Sequence, residues 1–167
     1  QATVAAARPV RTAQTPPASL RECLVDSFKT HRLRHAQARR RCRKSFSIDA
    51  VHRLRVASRR LIACIDLLRA FASPPVRKKD RRAVKKQLDA SDALRDAQVQ
   101  LHAAGGMLAA YPESKGFYRY LQHRQRQLTR VTVESLRRSE LAKRLSALER
   151  ALDAMPGTAE TDREDRI

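Results

Sequence analysis

The stretch 51-VHRLRVASRRLIACIDLLRAF-71 carries the pattern on which the fold prediction rests. Its apolar residues recur at the three- and four-residue spacing of a helix that buries one face, and neither Gly nor Pro interrupts it. The residues predicted to face the core are Val51, Leu54, Leu61, Ile65 and Leu68. With a start near Ser47 or Asp49, the stretch predicts a long amphipathic helix that runs to Phe71.

Three more long helices and a short fifth one are predicted around that helix. They would cover about 19–44, 76–110, 114–137 and 140–155, the first beginning at an N-cap Ser19. The breaks are predicted at Lys44 to Ser47, at Ser73-Pro74-Pro75, at Tyr111-Pro112 and near Arg138-Ser139, and the Gly105-Gly106 pair favours an early end of helix three. The inward residues are predicted to be Leu20, Leu24, Phe28, His31, Ala38 and Cys42 in helix one, Val84, Leu88, Leu94, Val99 and Leu101 in helix three, Phe117, Leu121, Leu128 and Thr132 in helix four, and Leu141, Leu145, Leu148 and Leu152 in the last helix. The predicted fold is therefore all-α, a four-helix bundle with a short extra C-terminal helix.

Composition supports one helical domain with flexible ends. The chain has 167 residues, of which 42% are apolar but only 4% aromatic, with four Gly and no Trp. We expect residues 1–18 and the acidic tail 156–167 to be flexible, and residues 19–155 to form the helical domain. The Gly105-Gly106 pair lacks a following Lys-Ser/Thr, which excludes a P-loop, and the Gly content argues against kinases and dinucleotide-binding folds.

The three cysteines, Cys23, Cys42 and Cys64, form no CxxC pair and are odd in number, which argues against a disulfide framework and a zinc site. A reducing, cytoplasmic location fits best, and the absence of a long apolar run predicts no membrane partner. The sequence begins at Gln1 rather than Met, so we expect it to be part of a longer chain.

The charge indicates a polyanionic partner, which would be nucleic acid, an anionic membrane surface or a phosphate polymer. The chain holds 36 Lys and Arg against 17 Asp and Glu, a net charge of +19, and 28 of its cations are Arg. An Arg fork binds phosphate oxygens in pairs, whereas Lys would serve solubility equally well. Residues 29–86 alone hold 20 cations against three acids, so the binding surface is expected on the first two helices and the start of the third.

Within the deciding stretch, His52, Arg55 and Arg59 follow one another at i, i+3 and i+7 along one edge of the apolar arc. Acids that would pair with them along the same helix are missing, so the like charges repel unless an anion lies beside them. We therefore predict an anion site on this stripe, although most basic stripes are merely solvated helix faces.

Helix four carries a different stripe. Because it lies opposite the apolar face, it is expected to be solvated or to form a weak secondary anion surface. Its members are Arg119, His123, Arg126, Arg130 and Arg137. Arg124 is instead predicted on the apolar arc, where a guanidinium needs an acidic or anionic partner such as a bound phosphate. Arg95-Asp96 is interpreted as an internal ion pair linking helices.

We expect no catalytic residue, no metal site and no cofactor, since no Ser, Cys or Lys stands beside a His–acid pair and the carboxylates are not paired.

Two motifs resemble those of a known family. The run His52-Arg53-Leu54-Arg55-Val56-Ala57-Ser58-Arg59-Arg60-Leu61 and the later Leu94-Arg95-Asp96-Ala97-Gln98-Val99 resemble the HxxRVxxRRL and LRDxxV signatures of the CHAD family, the conserved histidine α-helical domain. Members often have Arg where Ile62 stands, Gly where Asp92 stands and an acid where Gln98 stands.

The resemblance implies a helical, non-catalytic domain that binds inorganic polyphosphate in a basic groove and sometimes lies beside a triphosphate-hydrolysing domain. By position it implies that His52, Arg55 and Arg59 face phosphate, with Lys85 as a basic position on helix three. Arg60 matches the motif but lies off the stripe, so its role is expected to be structural. The family domain resembles two four-helix halves, of which residues 19–155 would supply one. The resemblance implies either that the second half has been lost or cut, or that a homodimer rebuilds the groove. It also implies an association with polyphosphate granules.

The sequence leaves a second function class open. A nucleic-acid-binding protein would share the basic surface and bind without sequence specificity. It would normally show a recognition helix with Asn, Gln and Arg on one exposed face, or aromatic residues for stacking. The aromatic residues gathered near Pro112 are interpreted as packing residues; they are Tyr111, Phe117, Tyr118 and Tyr120. A phosphohydrolase is disfavoured because no carboxylate cluster could hold Mg²⁺.

Overall fold

The computed structural model describes residues 19–71, 76–138 and 140–154, and in these residues it is all-α, with no strand. The elements are α1 (Leu20–Lys44), α2 (Ile48–Phe71), α3 (Lys78–Met107), a 3-10 turn (Pro112–Ser114), α4 (Lys115–Arg138) and α5 (Leu141–Asp153). The predicted all-α bundle is confirmed. The predictions for 1–18 and 156–167, and for the breaks at Ser73-Pro74-Pro75 and Ser139, lie outside the described residues.

Three helices begin where a side chain satisfies the free amides of the first turn. The Ser19 hydroxyl accepts a hydrogen bond from the Glu22 amide at 3.2 Å, and the Glu22 carboxylate accepts one from the Ser19 amide at 2.9 Å, which confirms the predicted cap of α1. The Ser47 hydroxyl accepts from the Ala50 amide at 3.2 Å at the start of α2. At the start of α3, the Asp80 carboxylate accepts from the Arg77 amide at 3.0 Å.

The glycine pair of α3 does not end the helix early, because α3 continues through Gly105 and Gly106 to Met107. Gly105 instead permits a close approach to α4. A Cβ atom there would lie 3.3 Å from the ring of Tyr118, which is tighter than an ordinary van der Waals contact, so the ring would have to shift.

Consecutive helices pack side by side, α1 on α2, α2 on α3 and α3 on α4, while α5 lies against α1 and α3. The core has two parts. One joins α1, α2 and α3 to the four leucines of α5, and the other joins α1, α2 and α3 to Leu136 of α4. The five inward residues predicted for α2 and the four predicted for α5 are all buried. The basic residues of α2 thus lie between α1 and α3, and the charged side chains of those two helices determine whether they are paired.

Three residues predicted to face the core do not. Leu20 is 58% exposed, Val99 45% and Phe117 58%, whereas His31, Leu101 and Leu128 are half-buried. Leu20 is the first residue of α1. Val99 and Phe117 lie on the parts of α3 and α4 beyond the contact of Gln98 with Phe46 in the turn between α1 and α2, where α3 and α4 pack on each other. Phe117 and Tyr120 stack on each other in the open, their ring centroids 6.4 Å apart.

Candidate anion-binding site

The predicted stripe on α2 is divided between the two neighbouring helices. His52 is exposed, and the side chain of Arg59 is 64% exposed. The side chain of Arg55 is only 18% exposed, and its Nε donates to the carboxylate of Asp92 on α3. A second oxygen of Asp92 lies 4.0 Å from Nη2 of Arg59. The acid that is missing along α2 is therefore supplied by α3, and the anion beside Arg55 is part of the protein.

Further ion pairs neutralise the rest of the surface between α2 and α3. Nε of Arg81 donates to both oxygens of Asp66 at 2.8 and 2.9 Å, and Arg69 lies 3.8 Å from the same carboxylate. Lys85, predicted as a binding residue, is exposed and donates to both oxygens of Asp89 at 2.9 Å. An external anion on this side would have to compete with three carboxylates.

The other side of α2 has a different electrostatic character. A groove of about 380 Å³ lies between α1 and α2, and no carboxylate lines it. Its basic residues are His31, Arg34 and Arg41 from α1 and His52, Arg53 and Arg60 from α2. Arg53 pairs with Asp49 at 2.9 Å, while Arg34, Arg41 and Arg60 form no ion pair with any residue that the structure describes. We call these six residues the basic groove.

His31 responds to this concentration of charge. Burial, and then the positive charges of Arg34 and Arg60, lower the pKa of His31 below its ordinary value. The protein thus keeps a neutral imidazole among guanidinium groups, and a bound anion would remove the repulsion that opposes its protonation.

Other basic residues of α1 hold the fold together. Nη2 of Arg32 lies 2.7 Å from the carboxylate of Glu149 on α5, and Arg39 donates to the carbonyl oxygen of Leu136 on α4. His35 is buried at 2% exposure, and burial followed by the charge of Arg39 lowers its pKa to about 4. These side chains fix α1 against α4 and α5 and leave Arg34 and Arg41 facing solvent.

Arg124 does not lie where the apolar pattern predicted it. It is exposed, and its Nη1 donates to the hydroxyl of Tyr120 on the preceding turn at 3.2 Å. The face of α4 that packs on α3 contains Leu121 and Thr132, so the edge that holds Arg124 is left in solvent. The predicted need for a buried anionic partner is therefore wrong. The solvated stripe predicted on α4 is confirmed, since Arg119, His123, Arg126, Arg130 and Arg137 are all exposed.

Two further interpretations need correction. Neither Arg95 nor Asp96 forms an ion pair within the described part of the chain, and Asp96 is exposed, so this pair does not link helices. Of the four aromatic residues near Pro112, only Tyr118 is half-buried; Tyr111, Phe117 and Tyr120 are exposed.

A family model describing the CHAD domain matches residues 29–166, which is most of the chain. The chain belongs to the CHAD family. Neither the curated proteins nor the solved structures contain a match to the chain. In this CHAD domain the first signature motif lies on α2 and the second on α3, and both helices contribute to the part of the core that contains Leu136. His52 of the first motif lies in the basic groove, and Gln98 of the second donates to the Phe46 carbonyl oxygen at 2.7 Å.

Sequence reasoning missed Arg34, Arg41 and Arg60 of this CHAD domain. The available signal was the lack of acids in the second part of α1 and the turn after it, since no Asp or Glu stands between Asp26 and Asp49. No local pattern indicates the whole groove. Among its members only His52 belongs to the predicted stripe of α2, Arg60 lies off that stripe, and the residues of α1 join them only when the two helices pack.

Among the residues that the structure describes, no group of three His, Cys, Asp or Glu could hold a metal ion. None of the described helices is long and apolar enough to cross a membrane. All three cysteines are thiols, and burial raises the pKa of Cys42 to about 11.

Proposed function

We propose that this CHAD domain binds inorganic polyphosphate without catalysing its hydrolysis, and that the basic groove is the centre of the binding surface. The observation that carries the proposal is the convergence of four Arg and two His on a groove that no carboxylate lines. Guanidinium groups bind phosphate oxygens through short charge-assisted hydrogen bonds, and a phosphate polymer repeats those oxygens along its whole length. The protein would act as a cytoplasmic binding module, including at polyphosphate granules.

The other predicted site residues lie outside the basic groove and would contact the polymer beyond it. Arg59 lies two turns from His52 on the same side of α2, and it would extend the path of the polymer beyond the groove. Arg55 would contact phosphate only if the polymer displaced Asp92. Lys85 and Arg124 would supply weak contacts to a long chain, since one is ion-paired and the other lies on α4.

A specific observation favours nucleic acid as the second candidate. Phe117 and Tyr120 stack in the open on α4, and Arg124 lies one turn further on. Exposed aromatic rings beside a cation are a platform for unstacked bases. These residues lie on a different helix from the basic groove, so the two functions would use different surfaces.

Competition binding distinguishes the two candidates. Long-chain polyphosphate and duplex or single-stranded DNA would be titrated, at one fixed salt concentration, against a fluorescent short polyphosphate held by the full chain. Our proposal predicts displacement by polyphosphate at a phosphate concentration at least tenfold lower than by either DNA, and no release of orthophosphate. Equal or better displacement by DNA would overturn it.

The proposal includes a homodimer, in which a second copy of the chain contacts the same polymer. One groove contacts one side of a polymer, and a twofold homodimer would enclose it between two basic walls. The exposed far ends of α3 and α4, with Val99, Met107 and Phe117, offer apolar surface that a single copy leaves uncovered.

A further inference from the structure

A larger cavity, open to solvent, is lined by residues of α3, α4 and α5 on the opposite side of α3 from Asp92. Its volume is about 860 Å³, within the range of small-molecule sites. It shares no residue with the basic groove, so nothing proposed so far explains it.

The charges around this cavity are mostly positive. Lys79, Arg82 and Lys86 approach it from α3, Arg130 from α4 and Arg144 from α5. None of the five forms an ion pair with a residue in the described ranges. Two acids also line the cavity, Glu134 on α4 and Glu140 directly before α5. Three helices thus bring unneutralised cations to one opening, an arrangement that an anion would stabilise.

Gln87 provides an independent observation. It lines the cavity and is only 3% exposed, yet neither its Nε2 nor its Oε1 has a hydrogen-bond partner among the described residues. A buried carboxamide in a protein normally pairs both of its polar atoms. A ligand that carries a donor or acceptor, reached by rotation of the carboxamide, would supply the missing partner.

Apart from Ser135, the rest of the cavity wall is apolar. Ala83, Val131 and Leu141 contribute to it, and the side chain of Val131 lies 60% exposed at its edge. An inorganic polyanion would gain nothing from these residues, whereas an organic anion would cover them.

We infer that the cavity between α3, α4 and α5 is a second binding site, for a small organic phosphate. Its phosphoryl group lies among Arg82, Lys86 and Arg144, and its apolar body covers Val131 and Leu141. This site is independent of the basic groove and does not require that the groove bind polyphosphate.

The test uses 1-naphthyl phosphate as the probe. Inorganic phosphate, which has no apolar group, is the comparison ligand. Titration of the full chain, followed by naphthyl fluorescence and by the ¹⁵N signal of the Gln87 side chain, should give saturable binding at least tenfold tighter for naphthyl phosphate. The Lys86→Ala/Arg144→Ala variant should lose at least tenfold in affinity.

Two controls make the result specific. Lys115→Ala/Arg119→Ala removes the same charge outside the cavity and should change affinity less than threefold, and Arg34→Ala/Arg60→Ala in the basic groove should do the same. Equal losses in all three variants, an unmoved Gln87 signal at saturation, or equal affinity for inorganic phosphate would each overturn the inference. Because the groove variant is expected to keep this binding, failure here and failure of polyphosphate binding are separate results.

Discussion

His31 reports directly on whether an anion enters the basic groove. In the free protein, burial and the charges of Arg34 and Arg60 hold its pKa below the ordinary value. A bound polyanion offsets those charges, so the pKa rises and binding takes up a proton in the pH range between the free and bound values. Affinity should therefore strengthen as the pH falls through that range.

An NMR titration of the histidine imidazoles, with and without saturating polyphosphate, measures this shift. His123 on the exposed face of α4 is the internal control and should move much less. If the pKa of His31 stays the same or falls on binding, the polymer does not occupy the groove.

Asp92 provides a second prediction at the scale of single residues. Its carboxylate lies between Arg55 and Arg59, where members of the family often have Gly. Asp92→Asn should strengthen polyphosphate binding by about 1 kcal/mol, roughly fivefold, because it frees two guanidinium groups from an ion pair of that usual strength.

Glu113→Gln, on the 3-10 turn at the far end of the molecule, makes the same charge change and is the matched control for Asp92→Asn. Binding constants for both variants would be measured by calorimetry at one salt concentration. An equal gain in the two variants would show that only net charge matters and that Asp92 has no local effect.

The same residues show where sequence reasoning stopped. Spacing along α2 located Arg55 at the edge of the core, since that depends on helix geometry alone. The partner of Arg55 lies 37 residues away in the chain, and no local pattern could indicate it. The basic groove was missed for the same reason, because its members come from two helices.

At the scale of elements, α5 completes the core. Its four leucines are buried in one of the two core clusters, and polar contacts such as that of Arg32 with Glu149 join it to α1 as well. Leu145→Ala should lower the free energy of unfolding by about 2–5 kcal/mol, the usual cost of a cavity at a buried leucine.

Lys143→Ala is the control for α5, because the side chain of Lys143 is 85% exposed. It should change the free energy of unfolding by less than about 0.5 kcal/mol in a urea titration followed by circular dichroism. A loss below 1 kcal/mol for Leu145→Ala would mean that α5 is not integral to the folded unit.

Helix starts, breaks and buried residues were predictable to the extent that they are local. Ser19 caps α1 because Ser and Glu three residues apart satisfy each other's backbone amides. Phe117 was predicted inward because the apolar arc of α4 includes it, but the arc is wider than the face that α3 covers. Which apolar residues of the arc remain exposed depends on where the neighbouring helix packs, and no local pattern contains that information.

At the scale of the whole molecule, charge and apolar surface act in opposite directions on self-association. Two copies of a chain with net charge +19 repel each other at low salt, whereas the uncovered ends of α3 and α4 favour contact. A bound polymer neutralises part of that charge, so a dimer should be weak alone and strengthened by polyphosphate.

Sedimentation velocity with and without polyphosphate measures this assembly. The proposal predicts two protein chains per short polymer and a higher sedimentation coefficient, both reduced by Phe117→Ser, which acts at the apolar surface. A monomer with one-to-one stoichiometry under both conditions would contradict the shared groove.

The most direct test compares two variants that lose the same charge. Arg34→Ala/Arg60→Ala removes two guanidinium groups from opposite walls of the basic groove, and Arg119→Ala/Arg126→Ala removes two from the exposed face of α4. Calorimetric titration with polyphosphate at fixed salt should show a loss of about 3 kcal/mol or more, above a hundredfold, for the groove variant, because each side chain would give up a charge-assisted hydrogen bond. The α4 variant should lose less than about 1 kcal/mol. Equal losses in the two variants would mean that the polymer is held by net charge alone, and would contradict a binding site between α1 and α2.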